Sequence, residues 1–148
     1  MGRTIELDIP PRNGYLALVR RVVSTAARLD GTLADRRIDD LSLAVSEACA
    51  NAIDVQRSAG SPEPISVVLE LDGSGVVVTV TDHGGGFSPN EVDPIPGPDD
   101  PGRLRHERGL GLPLMRSLAE SVHFTATDDG TAVRLEVRRL ASPSSNGE

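Results

Sequence analysis

Two pairs of alternating apolar segments, each closed by an Asp/Gly turn, constrain this chain more than any other feature. Ile65 to Leu71 and Val76 to Thr81 flank Asp72-Gly-Ser-Gly75, and Val122 to Thr127 and Thr131 to Arg139 flank Asp128-Asp-Gly130. Strands joined by turns this short must run antiparallel, because a parallel pair needs a long crossover. A further strand, Thr4 to Ile9, is stopped by Pro10-Pro11. The periodicity is helical from about Asn13 to Leu29, with Gly31 just past the end, and again from Asp39 or Asp40 to Arg57. A third helix is expected from Gly111 to Ser121. Strand, two helices, hairpin, helix, hairpin is an α+β order. It predicts a two-layer sandwich, a mostly antiparallel sheet with three helices on one face.

Between the second hairpin strand and the third helix the texture changes. Ser88 to Glu107 carries prolines, glycines and acids with no periodicity. A stretch of that length inside one domain reads as a lid, a binding loop or a disordered segment. Residues 1–140 read as one domain, and the small polar run Ala141 to Glu148 as a disordered tail.

The composition excludes several function classes. The net charge of −7 argues against nonspecific nucleic-acid binding, which is driven by cations on phosphates. His83, His106 and His123 have no metal-ligand spacing. Cys49 is the only cysteine, so an intrachain disulfide is impossible, and its place mid-helix among Ala and Leu suggests a buried structural thiol. The N-terminal residues lack the apolar core of a signal peptide, and no apolar run is long enough to span a membrane, so the expected location is cytoplasmic. There is no lysine for a P-loop, which requires GxxxxGK[ST].

Three short segments carry candidate chemistry. Glu47 and Asn51 are four apart on the second helix and so share a face. An Asn oxygen can join phosphate oxygens and waters around Mg2+, and a carboxylate one turn earlier can polarise a hydroxyl. Ala44, Ala48 and Ala52 beside them are small enough to leave room for a ligand. Asp82 ends a strand, where its carboxylate can accept a hydrogen bond from an adenine amine, and Gly84 and Gly86 let the backbone approach a base. Arg108-Gly109-Leu110-Gly111-Leu112 opens the third helix, where backbone N–H groups and the dipole favour an anion, and Arg108 can reach a phosphate. Each segment alone has an ordinary structural explanation: a solvated helix face, a tight turn, a loop-to-helix junction.

Together and in this order they resemble the GHKL (histidine-kinase-like) ATPase superfamily of gyrase, heat-shock chaperone, histidine-kinase and MutL-type domains, and most of all its stand-alone anti-sigma-factor serine kinases. Glu47-x-x-x-Asn51 is similar to the N box, Asp82-x-Gly84-x-Gly86-Phe87 to the first glycine box, and Arg108-Gly109-x-Gly111-Leu112 to the second. Gly130-Thr131 is similar to the late Gly-Thr that helps hold adenine. The likeness spans residues 5 to 139. Many relatives carry a histidine four residues after the Asn, where this chain has Val55.

The resemblance implies ATP and Mg2+ as cofactors, with Asn51 as magnesium ligand and Glu47 as catalytic base. It implies that Asp82 and Thr131 bind adenine, that Gly84 and Gly86 shape its pocket, and that Arg108, Gly109, Leu110, Gly111 and Leu112 serve the phosphates. Ser88 to Glu107 becomes the ATP lid. The implied partners are a sigma factor and a serine-containing anti-sigma-factor antagonist, with the kinase a homodimer. A non-catalytic ATP-binding module that sequesters either partner would use the same ligands, so that alternative stays open.

Overall fold

The computed structural model describes residues 2–85 and 111–139, the side chains of residues 111 and 112 excepted. Within them, five strands form one sheet in the order β1-β2-β3-β5-β4, all neighbours antiparallel: β1 (Arg3–Ile9), β2 (Ile65–Leu71), β3 (Gly75–Thr81), β4 (Ser121–Ala126) and β5 (Thr131–Arg138). The helices are α1 (Leu16–Asp30), preceded by a 3-10 turn at Asn13–Tyr15, α2 (Asp35–Ala59) and α3 (Gly111–Leu118). The expected α+β sandwich is the observed one.

The register explains which face of the sheet is covered. Val67, Val80 and Val133 lie in one row across β2, β3 and β5, and Leu69, Val78 and Leu135 in the next. All six are buried. Their alternates Val68, Thr79 and Arg134 form a row on the opposite face and remain partly or fully exposed. A period of two therefore gives a one-sided sheet. Helix α2 lies on the covered side, touching α1, α3 and strands β2, β3 and β5. Surrounded in this way, it buries Leu41, Val45, Ala48, Cys49, Ala52 and Ile53. Each fully buried branched side chain contributes about 1.5–3 kcal/mol relative to exposure, and with so few aromatics this aliphatic set is the core.

α1 starts at Leu16 after the 3-10 turn and α2 runs on to Ala59, and two further helix ends depart from the sequence reading for reasons that the contacts show. α2 starts at Asp35, not at Asp39 or Asp40. Ile38 extends the apolar stripe by one turn into the core, its N–H bonds to the Ala34 carbonyl, and Arg28 on α1 pairs with both Asp35 and Asp39. α3 ends at Leu118 rather than Ser121. There the Glu120 N–H donates to the carbonyl of Glu136 on β5, so the sheet captures the chain before another helical turn forms. The Glu120 carboxylate also pairs with Arg37, which ties this corner to the start of α2.

Candidate functional site

α2 is covered on several sides, and its middle turns keep one strip partly open. Glu47, Asn51, Asp54 and Val55 are half-buried along that strip, at the i, i+4, i+7 and i+8 positions of one helix face. The Glu47–Asn51 pair is thus kept from the core without being fully exposed, which suits groups that must meet a ligand. Ala44, Ala48 and Ala52 are 0–4% exposed and belong to the core. Their small size lets α2 approach its neighbours, and the room they were expected to leave for a ligand is filled by packing.

The second group forms where β3 ends beside the start of β5. Asp82 leaves β3 with its N–H donating to the Thr131 carbonyl at 2.9 Å. The Asp82 side chain is buried at 6% exposure, and its Oδ1 accepts the Gly84 N–H at 3.0 Å. Burial raises the pKa of this carboxyl, opposed by hydrogen bonding from the Gly84 and Thr131 backbone and by neighbouring His83, while Asp129 adds to the rise. A carboxylate offers about four acceptor positions, so these backbone donors leave capacity for a ligand N–H. Thr131 is itself buried at 4% exposure.

Two glycines make this contact possible. A Cβ on Gly130 would stand 1.9 Å from the Asp82 carbonyl oxygen and 2.9 Å from its Oδ1. A Cβ on Gly84 would stand 2.3 Å from Cγ1 of Val55 and 3.3 Å from the backbone nitrogen of Gln56. The first presses β5 against Asp82, and the second presses the run after Asp82 against α2, one turn beyond Asn51. Val55 is thus the side chain on which Gly84 rests.

The Asp82 run is held on both sides. Toward β5, the Gly85 N–H bonds to the Asp129 carbonyl, and His83 Nδ1 lies 2.9 Å from the Asp129 carboxylate. Toward α2, the His83 N–H donates to Oε1 of Gln56 at 2.8 Å. Gln56, absent from the sequence reading, is 0% exposed. A signal was present: it falls three residues after Ile53 on the packed side of α2, and a polar residue there demands a partner.

Of the residues expected at the site, Asp82, Gly84 and Thr131 come together, and Gly84 meets the helix strip that carries Glu47 and Asn51. Gly111 opens α3, which packs on α2, and Leu112 follows it in the same first turn. Gly86, Arg108, Gly109 and Leu110 lie outside the described residues, as do the segment 88–107 and the tail 141–148.

The donor set fits the implied groups. A buried carboxylate with spare acceptor capacity suits a base amine, and one Asn oxygen suits Mg2+, which keeps several waters and takes its other ligands from phosphates. Among the described residues no helix is long and apolar enough to cross a membrane.

Comparison with known proteins places this geometry in context. The family described as "Histidine kinase-like ATPase domain" matches residues 9–137. The serine-protein kinase RsbW of Halalkalibacterium halodurans is 35% identical over 125 residues, covering 82% of this chain and 75% of that protein. RsbW of Bacillus velezensis is 34% identical over 122 residues, covering 80% and 75%. Among solved structures, the RsbU and RsbW domains of a Mycobacterium tuberculosis protein superpose with a TM-score of 0.66 at 18% identity, over 92% of this chain and 32% of that longer one. At that identity the likeness speaks for the fold.

Proposed function

Because this chain belongs to the histidine kinase-like ATPase family, together with the RsbW serine-protein kinases, we propose that it is an ATP- and Mg2+-dependent protein-serine kinase acting as an anti-sigma factor. In this reading it phosphorylates a serine of an anti-sigma-factor antagonist, works as a homodimer in the cytoplasm, and controls transcription by exchanging the antagonist for a sigma factor. The relatives named as serine-protein kinases support the reaction class. The single observation that carries the site is the meeting of Asp82, Gly130 and Thr131 beside the Gly84–Val55 contact on α2.

In this reading the labour is divided among the residues as follows, which the closeness of Asp82, Gly84 and Thr131 supports. Asp82 accepts a hydrogen bond from the adenine amine, its carboxylate orientation held by the Gly84 N–H, and Thr131 closes the same corner. Asn51 holds Mg2+, which when bound supplies charge neutralisation on the phosphates. Glu47, one turn before Asn51, takes the proton from the acceptor serine hydroxyl as its oxygen attacks the γ-phosphorus, and the bond from that phosphorus to the β,γ-bridging oxygen breaks to release ADP. Catalysis of this type is mostly positioning and electrostatics. Gly111 and Leu112, with Gly86, Arg108, Gly109 and Leu110, serve the nucleotide in this reading.

The test is incubation with labelled ATP, Mg2+ and a candidate serine-containing antagonist, comparing wild type with Glu47→Ala. Transfer by wild type and its loss in the variant is the expected result. Equal transfer by both would remove Glu47 as the base, and tight ATP binding without transfer by wild type would favour a sequestering module.

A further inference from the structure

We propose that Gln56 is a positioning residue for base recognition, holding the run from Asp82 to Gly84 at a fixed distance from the helix that carries Asn51. This rests on the ATP reading above and adds to it a residue outside all three motifs.

A carboxamide with no solvent exposure must satisfy both of its ends within the protein. Gln56 does so with main-chain partners: Oε1 accepts the His83 N–H at 2.8 Å, and Nε2 donates to the Glu63 carbonyl at 2.6 Å. One partner is only a donor and the other only an acceptor, so the orientation of the amide is determined by its surroundings. His83 is the residue between Asp82 and Gly84. Gly84 in turn packs on Val55 and Gln56, and its N–H holds Oδ1 of Asp82. A continuous path thus runs from the Gln56 amide through the His83 and Gly84 backbone to the carboxylate.

The path matters because the other anchors of this run lead elsewhere. Asp82 N–H, Gly85 N–H and the His83 ring all bond to residues 129 and 131 at the β4–β5 turn and the start of β5. They set the run against the sheet and say nothing about its distance from α2. The Gly84–Val55 contact limits how close the run can come, and Gln56 is the hydrogen bond that holds it there, from a point about 7.5 Å along the helix axis beyond Asn51. One nucleotide must reach the base contact and the phosphate contact together, so an error in this spacing falls on the base. Guanine offers a carbonyl where adenine offers an amine, and a displaced carboxylate loses its preference between them.

The experiment measures Mg2+-dependent affinity of the full chain for ATP, GTP and inorganic tripolyphosphate. Gln56→Leu keeps most of the volume and removes both hydrogen bonds. It is expected to lower the ATP-to-GTP affinity ratio roughly tenfold while tripolyphosphate affinity stays at the wild-type value. Gln56→Glu keeps the acceptor for His83 and is expected to restore most of the ratio. A folded Gln56→Leu with an unchanged ratio overturns the assignment, since a purely structural role predicts lower stability alone. Should that variant not fold, Gln56→Asn retracts the amide by one methylene and is expected to give a smaller fall in the same ratio, and an unchanged ratio there overturns the assignment equally. Wild-type protein that binds no ATP would end the nucleotide reading itself, an outcome distinct from wild-type binding with unaltered selectivity in the variants.

Discussion

Gly130 and Asp82 are in contact so close that no side chain fits between them. The missing Cβ of Gly130 would lie 1.9 Å from the Asp82 carbonyl oxygen and 2.6 Å from its carbonyl carbon, while the neighbouring Thr131 carbonyl accepts the Asp82 N–H. A carboxylate proposed to read adenine is therefore seated against backbone on the β5 side.

Gly130→Ala is expected to be poorly tolerated, because the obstructing atoms are main chain and cannot rotate away. Overpacking of this kind costs about 1–3 kcal/mol. Urea unfolding should show a lower midpoint at unchanged slope, and ATP titration a weakened affinity as Asp82 is displaced.

Asp82→Asn separates function from stability. Burial raises the pKa of Asp82, so keeping it ionised opposes folding. That penalty is fully present above the folded-state pKa, shrinks as pH falls through it, and is gone below the unfolded-state value. The Asn variant keeps an oxygen for the Gly84 N–H and is expected to be at least as stable as wild type at neutral pH. Its advantage should narrow on acidification in thermal melts. Its ATP affinity should fall by about tenfold or more with the loss of a charged acceptor.

Asn51→Ala removes the proposed metal ligand from the half-open strip of α2. ATP affinity in the presence of Mg2+ should drop by roughly ten- to a hundredfold, and affinity in excess chelator should be the same for both proteins. Fluorescent-nucleotide titration under both conditions checks this, and an equal affinity with Mg2+ would remove Asn51 from that role.

Cys49 should be chemically silent in the native state. It is fully buried, and desolvation pushes its thiol up to about 12. An aromatic disulfide reagent at mildly alkaline pH is expected to leave the folded chain unmodified and to react promptly in urea. Fast native labelling would mean that α2 opens from the core.

The sequence was most informative where local periodicity and turn chemistry act alone. The Asp/Gly turns at 72–75 and 128–130 determined two antiparallel pairs, and Gly31 and Gly60 end their helices with φ of 74° and 69°, as a C-terminal glycine permits. Ends set by distant partners were misjudged. The Glu136 carbonyl that ends α3 lies far from Glu120 in sequence, and no local pattern announces it.

The same division runs through the site. Glu47, Asn51, Asp82, Gly84 and Thr131 stand out in the sequence because residue type and spacing suit the chemistry proposed for each group, and the family match at 9–137 spans all of them. What the alanines at 44, 48 and 52 do, and what Gln56 does, was decided only by tertiary structure. A small side chain leaves space or closes it according to what packs against it, and here the core takes that space. A buried amide has a role only once its two partners arrive, His83 from the end of β3 and Glu63 from the turn before β2. Sequence names the groups that can bind, and the sheet and helix together determine how far apart they are held.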